Sequence, residues 1–176
     1  MKYRSVCTGI AAETVAWHPL GWTPLSFSEI DPFCCALLKH HYAGIENYGD
    51  FTKIQTEGLE STDLLMGGTP CQSFSIAGKR AGLDDPRGNL ALEFVRLAQR
   101  LRPRWVIWEN VQGVLSSEEG RDFGTVLGAL AQIGYGFAYR VLDAQFDALA
   151  QRRQRVFVVG YLGDWRPPAA VLFERE

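Results

Sequence analysis

The sequence predicts an α/β domain in which a mainly parallel sheet is covered by helices on both faces. Three observations carry that expectation. Short apolar runs recur along the chain, at residues 3–7, 22–27, 63–66, 105–108 and 156–161. Between several of them lie segments whose apolar residues are spaced three and four apart, the period of a helix with one buried face. No repeat, low-complexity stretch or linker interrupts the alternation over 176 residues, a length that one core accommodates. Strands separated by helix-length crossovers pair in parallel, so the alternation sets the fold class.

The elements follow in order. Residues 3–7 form a strand, and Thr8-Gly9-Ile10 turns it into a helix reaching about residue 20. The second strand, 22–27, ends in Ser28-Glu29-Ile30-Asp31-Pro32. Pro32 suits a first helical turn and Asp31 a cap, which starts a helix running to about residue 41. A brief third strand covers 47–51. The fourth, 63–66, stops at Gly67-Gly68-Thr69-Pro70, because such an exit cannot continue a central strand. After a polar, Gly-rich stretch, 89–101 is helical. Residues 105–108 are a buried strand capped by Glu109-Asn110, 123–133 a helix, and 137–142 and 156–161 the last strands. Pro167-Pro168 marks the expected end of regular structure, giving a core over 1–166 and an irregular tail over 167–176.

Composition narrows the function classes. Hydrophobic residues are 47% and charged residues 22% of the chain, a globular balance. No apolar run approaches the roughly 20 residues of a membrane helix, and the N-terminus lacks a signal-peptide core. Net charge is −2 and the sequence pI about 5.9, without the basic signature of a nucleic-acid binder. Arginines nonetheless cluster at Arg96, Arg100, Arg102 and Arg104, and again at Arg152, Arg153 and Arg155. Such runs hold phosphate locally or form a solvated face. The four cysteines make no Cys-x-x-Cys pair, and Cys34 and Cys35 read as core thiols of a helix in a reducing cytoplasm.

Six segments carry chemistry. Cys71 leaves a strand's C-terminal end on the turn Gly67-Gly68-Thr69-Pro70, where open α/β sheets place their ligands. A thiolate there is a candidate nucleophile, although a lone Cys also serves as small core filling. Thr8-Gly9-Ile10 opens a helix, an arrangement suited to the charged end of a cofactor. Glu29 lies 20 residues beyond Gly9, the Rossmann spacing for a carboxylate on a ribose hydroxyl pair. Asp50, after the third strand, can accept from an adenine amino group. Singly, each acid also reads as a cap or surface charge. In this order along successive strand ends they point to an adenosyl cofactor with a charged amino-acid tail, S-adenosylmethionine. Glu109, beside so much apolar surface, is a candidate proton donor, with a helix cap or a salt bridge to a nearby arginine as the alternative. Alternation along Gln151-Arg152-Arg153-Gln154-Arg155 sends Arg153 and Arg155 to one face, able to hold a phosphate or carbonyl oxygen.

Taken together, these motifs resemble the DNA cytosine-5 methyltransferases over nearly the whole chain. Pro70-Cys71-Gln72 is similar to that family's nucleophile loop, and Asp85-Pro86-Arg87-Gly88-Asn89-Leu90 to the segment after it. Glu109-Asn110-Val111 matches the acidic motif and Gln151-Arg152-Arg153-Gln154-Arg155-Val156-Phe157 the basic one. The resemblance implies a Rossmann-like class I S-adenosylmethionine-dependent methyltransferase fold of seven strands, the last antiparallel. It implies methyl transfer to carbon 5 of cytosine in DNA, of the restriction-modification kind, through a covalent Cys71 adduct. Glu109, Arg153 and Arg155 would be the other catalytic residues. Thr8, Gly9, Ile10, Glu29, Ile30, Asp50, Phe51, Pro70 and Leu90 would bind the cofactor. Where the family has Phe and further glycines in the cofactor loop, this chain has Cys7, Ala11 and Ala12. The family's target-recognition region and closing C-terminal motifs find no counterpart in residues 1–176. This leaves three expectations: a DNA methyltransferase core working with a C-terminal partner chain, a remnant that binds cofactor or DNA without turnover, or a relative acting on tRNA.

Overall fold

The computed structural model describes residues 1–70, 90–146 and 150–173. Seven strands form one sheet: β1 (Lys2–Val6), β2 (Thr23–Phe27), β3 (Glu46–Asn47), β4 (Leu64–Gly67), β5 (Trp105–Val111), β6 (Tyr135–Asp143) and β7 (Gln154–Leu162). Their order across the sheet is β3-β2-β1-β4-β5-β7-β6. Pairs β1–β2, β1–β4, β2–β3 and β4–β5 are parallel, whereas β7 runs antiparallel to both β5 and β6. The helices are α1 (Ala12–Trp17), α2 (Pro32–His41), α3 (Leu90–Leu101), α4 (Arg121–Gln132) and α5 (Arg166–Leu172).

The interior strands are apolar on both sides because both sides are covered. Leu64 and Leu65 point to opposite faces by alternation, yet they are 1% and 0% exposed. The main core joins Val6, Leu65, Val106, Trp108, Val156 and Val158 of the sheet to Phe94, Val95 and Leu97 of α3 and Val126 and Leu130 of α4. A smaller cluster packs Phe27 and Ala11 against Leu38 of α2, with Tyr42 and Ile45. As expected, α2 begins at Pro32 with Asp31 as its cap, whose carboxylate accepts from Cys34 N at 2.9 Å.

Several expectations are corrected. Strand β5 continues through Glu109, Asn110 and Val111, because β7 pairs with it as far as Val111–Arg155. The first helix ends at Trp17, and His18–Leu20 tightens into a 3₁₀ turn closed by Gly21 at φ 69. The third strand is only Glu46–Asn47, and Phe51–Lys53 is a 3₁₀ turn. Pro167 and Pro168 do not end regular structure. They occupy the first turn of α5, where a missing backbone N–H costs nothing, and Pro168 and Leu172 are buried. Arg140 of β6 secures this helix by donating to the Leu172 carbonyl at 2.9 Å. Cys34 and Cys35 are half-buried rather than core thiols, since α2 turns them towards the sheet's edge. The first arginine cluster is no phosphate patch near the strand ends: Arg96 pairs with Glu93 on α3, and Arg102 donates to the Ile133 carbonyl at the opposite end of the sheet.

Candidate active site

Parallel strands β1 to β5 end at one edge of the sheet, and antiparallel β7 begins there. That edge gathers the expected site residues into two groups. The first surrounds Glu29. Thr8, 7% exposed, is spent on structure: its hydroxyl donates to the Ser5 carbonyl at 3.1 Å and accepts from Ser28 N at 3.3 Å. The loop it anchors has left-handed backbone at Cys7 (φ 52), Gly9 (φ 57) and Ala11 (φ 58). For Ala11 this costs roughly 1–2 kcal/mol, offset by burying its methyl group against Phe27 and Leu38. Among the described residues, no atom beyond its chain neighbours lies within 4 Å of where a Gly9 Cβ would stand, so open space adjoins the loop there.

Glu29 closes this group. Its Oε2 accepts from Gly9 N at 2.7 Å, and its Oε1 from Ile30 N and Asp31 N, both at 2.8 Å. Ile10 and Ile30 flank the bridge and are 56% and 73% exposed, an uncovered apolar pair on either side of a carboxylate. Cys7 lies close to Glu29 and Asp50, and burial pushes its thiol up to about 12, so it stays protonated at neutral pH. Helix α1 has six residues, and Ala11 at its start supplies no side-chain cap.

Asp50 takes the capping role that was its alternative. Its Oδ1 accepts from the Thr52 hydroxyl at 2.8 Å and Thr52 N at 3.1 Å, and its Oδ2 faces Lys53 Nζ at 3.0 Å. The Thr52 bond and then Lys53 hold its carboxyl below the usual range. Phe51 is 4% exposed and belongs to the main core, which Leu90 also contacts from the start of α3. Pro70 is exposed. Asn47, unremarked in the sequence, is fully engaged with Glu29. Its Oδ1 accepts from Glu29 N at 3.0 Å and Gly49 N at 3.1 Å, and its Nδ2 donates to the Glu29 carbonyl at 3.2 Å.

The second group lies where β4, β5 and β7 meet. Glu109 Oε1 pairs with Arg155 Nε at 2.9 Å, and both side chains are about three-quarters buried. The salt bridge, and not an isolated acid among apolar groups, is what the structure shows. A Cβ on Gly68 would stand 2.9 Å from Glu109 Oε2, so the carboxylate rests over the glycine backbone. Gly67, one step back, is hemmed in by Phe94 and Val6. These contacts explain why the strand exits through two glycines. Thr69, 2% exposed, is gripped from β5: its hydroxyl accepts from Trp108 Nε1 at 2.8 Å and its carbonyl from Asn110 Nδ2 at 2.9 Å. The chain thus enters Pro70 from a fixed point beside the ion pair. Cys71 and the motif residues 72–89 lie outside the described residues. Arg153 precedes β7, its backbone N donates to Asp143 Oδ1 at 3.2 Å, and its side chain is exposed, so only Arg155 of the basic motif meets Glu109.

The sheet order, the antiparallel β7 and the site edge define a class I methyltransferase-type α/β fold. The chain belongs to the C-5 cytosine-specific DNA methylase family, whose sequence model matches residues 1–174. It is 42% identical over 228 residues to a protein of Escherichia phage P1 named DNA N-6-adenine-methyltransferase, covering 99% of this chain and 30% of that one. It is 36% identical over 178 residues to the type II methyltransferase M.AquIA of Picosynechococcus, covering 90% of this chain and 71% of the relative. Among solved structures, S. pombe Dnmt2 methyltransferase superposes with a TM-score of 0.73 at 17% identity, over 93% of this chain and 51% of that one. The chain spans 30–42% of the length of four of its curated relatives.

Proposed function

We propose that this chain is the cofactor-binding and nucleophile-bearing core of a methyltransferase acting on carbon 5 of cytosine in DNA, with S-adenosylmethionine as methyl donor. The observation that carries this reading is the Glu109–Arg155 pair resting on Gly68 at the root of the Cys71 loop. A carboxyl group beside a guanidinium matches one cytosine: the carboxyl accepts from the amino group and shares a proton with N3, and the guanidinium donates to the carbonyl oxygen. The Glu29 group fits an adenosyl ligand: a carboxylate for the ribose hydroxyls lies between two exposed isoleucines able to pack on a flat base, beside open space over Gly9. Bound there, the cofactor would supply an electrophilic methyl group on a sulfonium.

The chemistry follows from what these groups do. Carbon 5 of cytosine is a poor nucleophile. The Cys71 thiolate adds to carbon 6, forming an S–C bond and shifting the ring electrons so that carbon 5 becomes enamine-like. Glu109 holds the N3 and amino edge, and Arg155 the carbonyl oxygen, throughout this addition. Carbon 5 would take the methyl group as the donor's S–CH3 bond breaks and S-adenosylhomocysteine leaves; the carbon 5 proton then goes to a base, and the thiolate departs as the ring double bond re-forms. The target base must leave the stack, since a stacked ring hides both faces. Adenine N6, an exocyclic amine, needs no thiol adduct, so Cys71 favours cytosine over the chemistry named for the phage P1 relative. In a second reading the recognition region is carried on a separate partner chain. A cytoplasmic setting, with reduced thiols, suits either.

Trapping on DNA containing 5-fluorocytosine tests the reading, because fluorine cannot leave as the proton does and the adduct persists. With S-adenosylmethionine and, where needed, the C-terminal region of a relative supplied in trans, the wild type should form a denaturant-resistant adduct. Cys71→Ser should form none while Cys7→Ser still does. An adduct that survives Cys71→Ser but is lost in Cys7→Ser overturns the assignment, as does N6-methyladenine as the product on ordinary DNA.

A further inference from the structure

We propose that Asn47, with Cys35, is a positioning residue that sets the chain's preference for a ribose over a deoxyribose in its adenosyl ligand, acting through Glu29. The inference rests on the reading of Glu29 as the ribose-binding carboxylate. Strand pairing between β2 and β3 ends with Phe27 opposite Asn47 and a bond from Tyr48 N to the Phe27 carbonyl at 2.9 Å. β3 ends at Asn47, so the strand ladder stops short of Glu29. The Asn47 side chain takes its place, accepting from Glu29 N at 3.0 Å and donating to the Glu29 carbonyl at 3.2 Å, as a neighbouring strand would. The amide can sit only this way round, because a flip would set its NH₂ against an N–H and its oxygen against a carbonyl.

Cys35 completes the ring. Its thiol donates to the same Glu29 carbonyl at 3.1 Å and accepts from Asn47 Nδ2 at 3.3 Å. The Asn47 oxygen also holds Gly49 N at 3.1 Å, fixing the start of the turn at φ 67. Glu29 is thus pinned through its own backbone on one side, while its carboxylate spans Gly9 N and the Ile30 and Asp31 amides on the other. The carboxylate meets a hydroxyl pair only if that backbone does not rotate. A few tenths of an ångström there spoil two hydrogen bonds to a diol and leave contacts with the base and tail unchanged.

The test titrates S-adenosylhomocysteine and its 2′-deoxy counterpart into the wild type and four variants, with melting temperatures recorded for each. The wild type should prefer the ribose compound, and Glu29→Gln should abolish most of that preference. Asn47→Ala should weaken S-adenosylhomocysteine about five- to tenfold, the factor one or two hydrogen bonds carry, and leave the 2′-deoxy compound within about twofold. Cys35→Ala should do the same more weakly, and Cys35→Ser, which keeps a donor and an acceptor, should restore the preference. If Asn47→Ala does not fold, the Cys35 pair decides alone. Equal losses on both compounds, or an unchanged preference, would overturn the role of Asn47. An unchanged preference in Glu29→Gln would instead remove the ribose reading, and the inference with it.

Discussion

Glu13 shows how much a single side chain can hide. It sits in the first turn of α1 with a carboxylate oxygen that is buried and has no hydrogen-bond partner among the described residues. Burial raises its carboxyl above the usual 4.5. The folded chain therefore keeps the proton to higher pH than the unfolded chain does, and stability falls as pH rises from about 4.5 through the raised value. Glu13→Gln should melt roughly 2–4 °C higher than the wild type at pH 8, a gap that closes towards pH 4. Scanning calorimetry at the two pH values checks this, and equal melting temperatures at pH 8 would contradict it. Glu29 was legible in the sequence because spacing from a Gly-containing turn is a local pattern. Asn47 was not, since one Asn after a strand is unremarkable until the fold brings it within 3.0 Å of Glu29 N. Asp50 was legible as an acid at a strand end, but nothing local showed that Thr52 and Lys53 would occupy it.

Strand β4 separates stability from function over two adjacent glycines. A methyl group at Gly67 meets the Phe94 ring and a Val6 methyl at 2.8 Å, so Gly67→Ala should cost about 1–3 kcal/mol in urea unfolding. At Gly68 the nearest atom to the same methyl, among the described residues, is Glu109 Oε2 at 2.9 Å. Gly68→Ala should melt within a few degrees of the wild type but trap 5-fluorocytosine about a hundredfold more slowly, because a carboxylate displaced by about 1 Å no longer serves the ring. Comparable unfolding and trapping losses in both variants would refute that division. The elements themselves were mostly legible: α2 with its Asp31 cap, the apolar strands and α3 all follow from pattern. Their ends were read less well. Glu109-Asn110 looked like a cap because its polarity breaks an apolar run, and only pairing with β7 extends the strand to Val111. Two prolines at 167–168 looked like a terminator, although proline disfavours a helix interior and not its first turn.

For the molecule as a whole, alternation of strands and helices predicted a parallel sheet but not its order. Seven strands with the last antiparallel came from resemblance, whereas the order β3-β2-β1-β4-β5-β7-β6 came only with the structure, since local patterns do not say which strands neighbour each other. A net charge of −2 sets a further expectation for residues 1–176. They should bind duplex DNA weakly, with little sequence preference and an affinity that falls as salt rises. Anisotropy titrations at low and moderate salt measure this. Turnover by these residues alone should be very slow and should rise when the C-terminal region of a relative is added. Rapid, sequence-specific methylation without it would contradict the expectation. The reversed strand also has a consequence for biosynthesis. Glu109 comes at the end of β5, whereas Arg155 comes at the start of β7, after α4 and β6 have been made. A nascent chain therefore presents its thiol and its acidic motif well before the arginine that pairs with that acid emerges from the ribosome. Until β7 inserts between β5 and β6, Glu109 and Arg155 cannot pair, so this edge of the sheet is completed only late in synthesis.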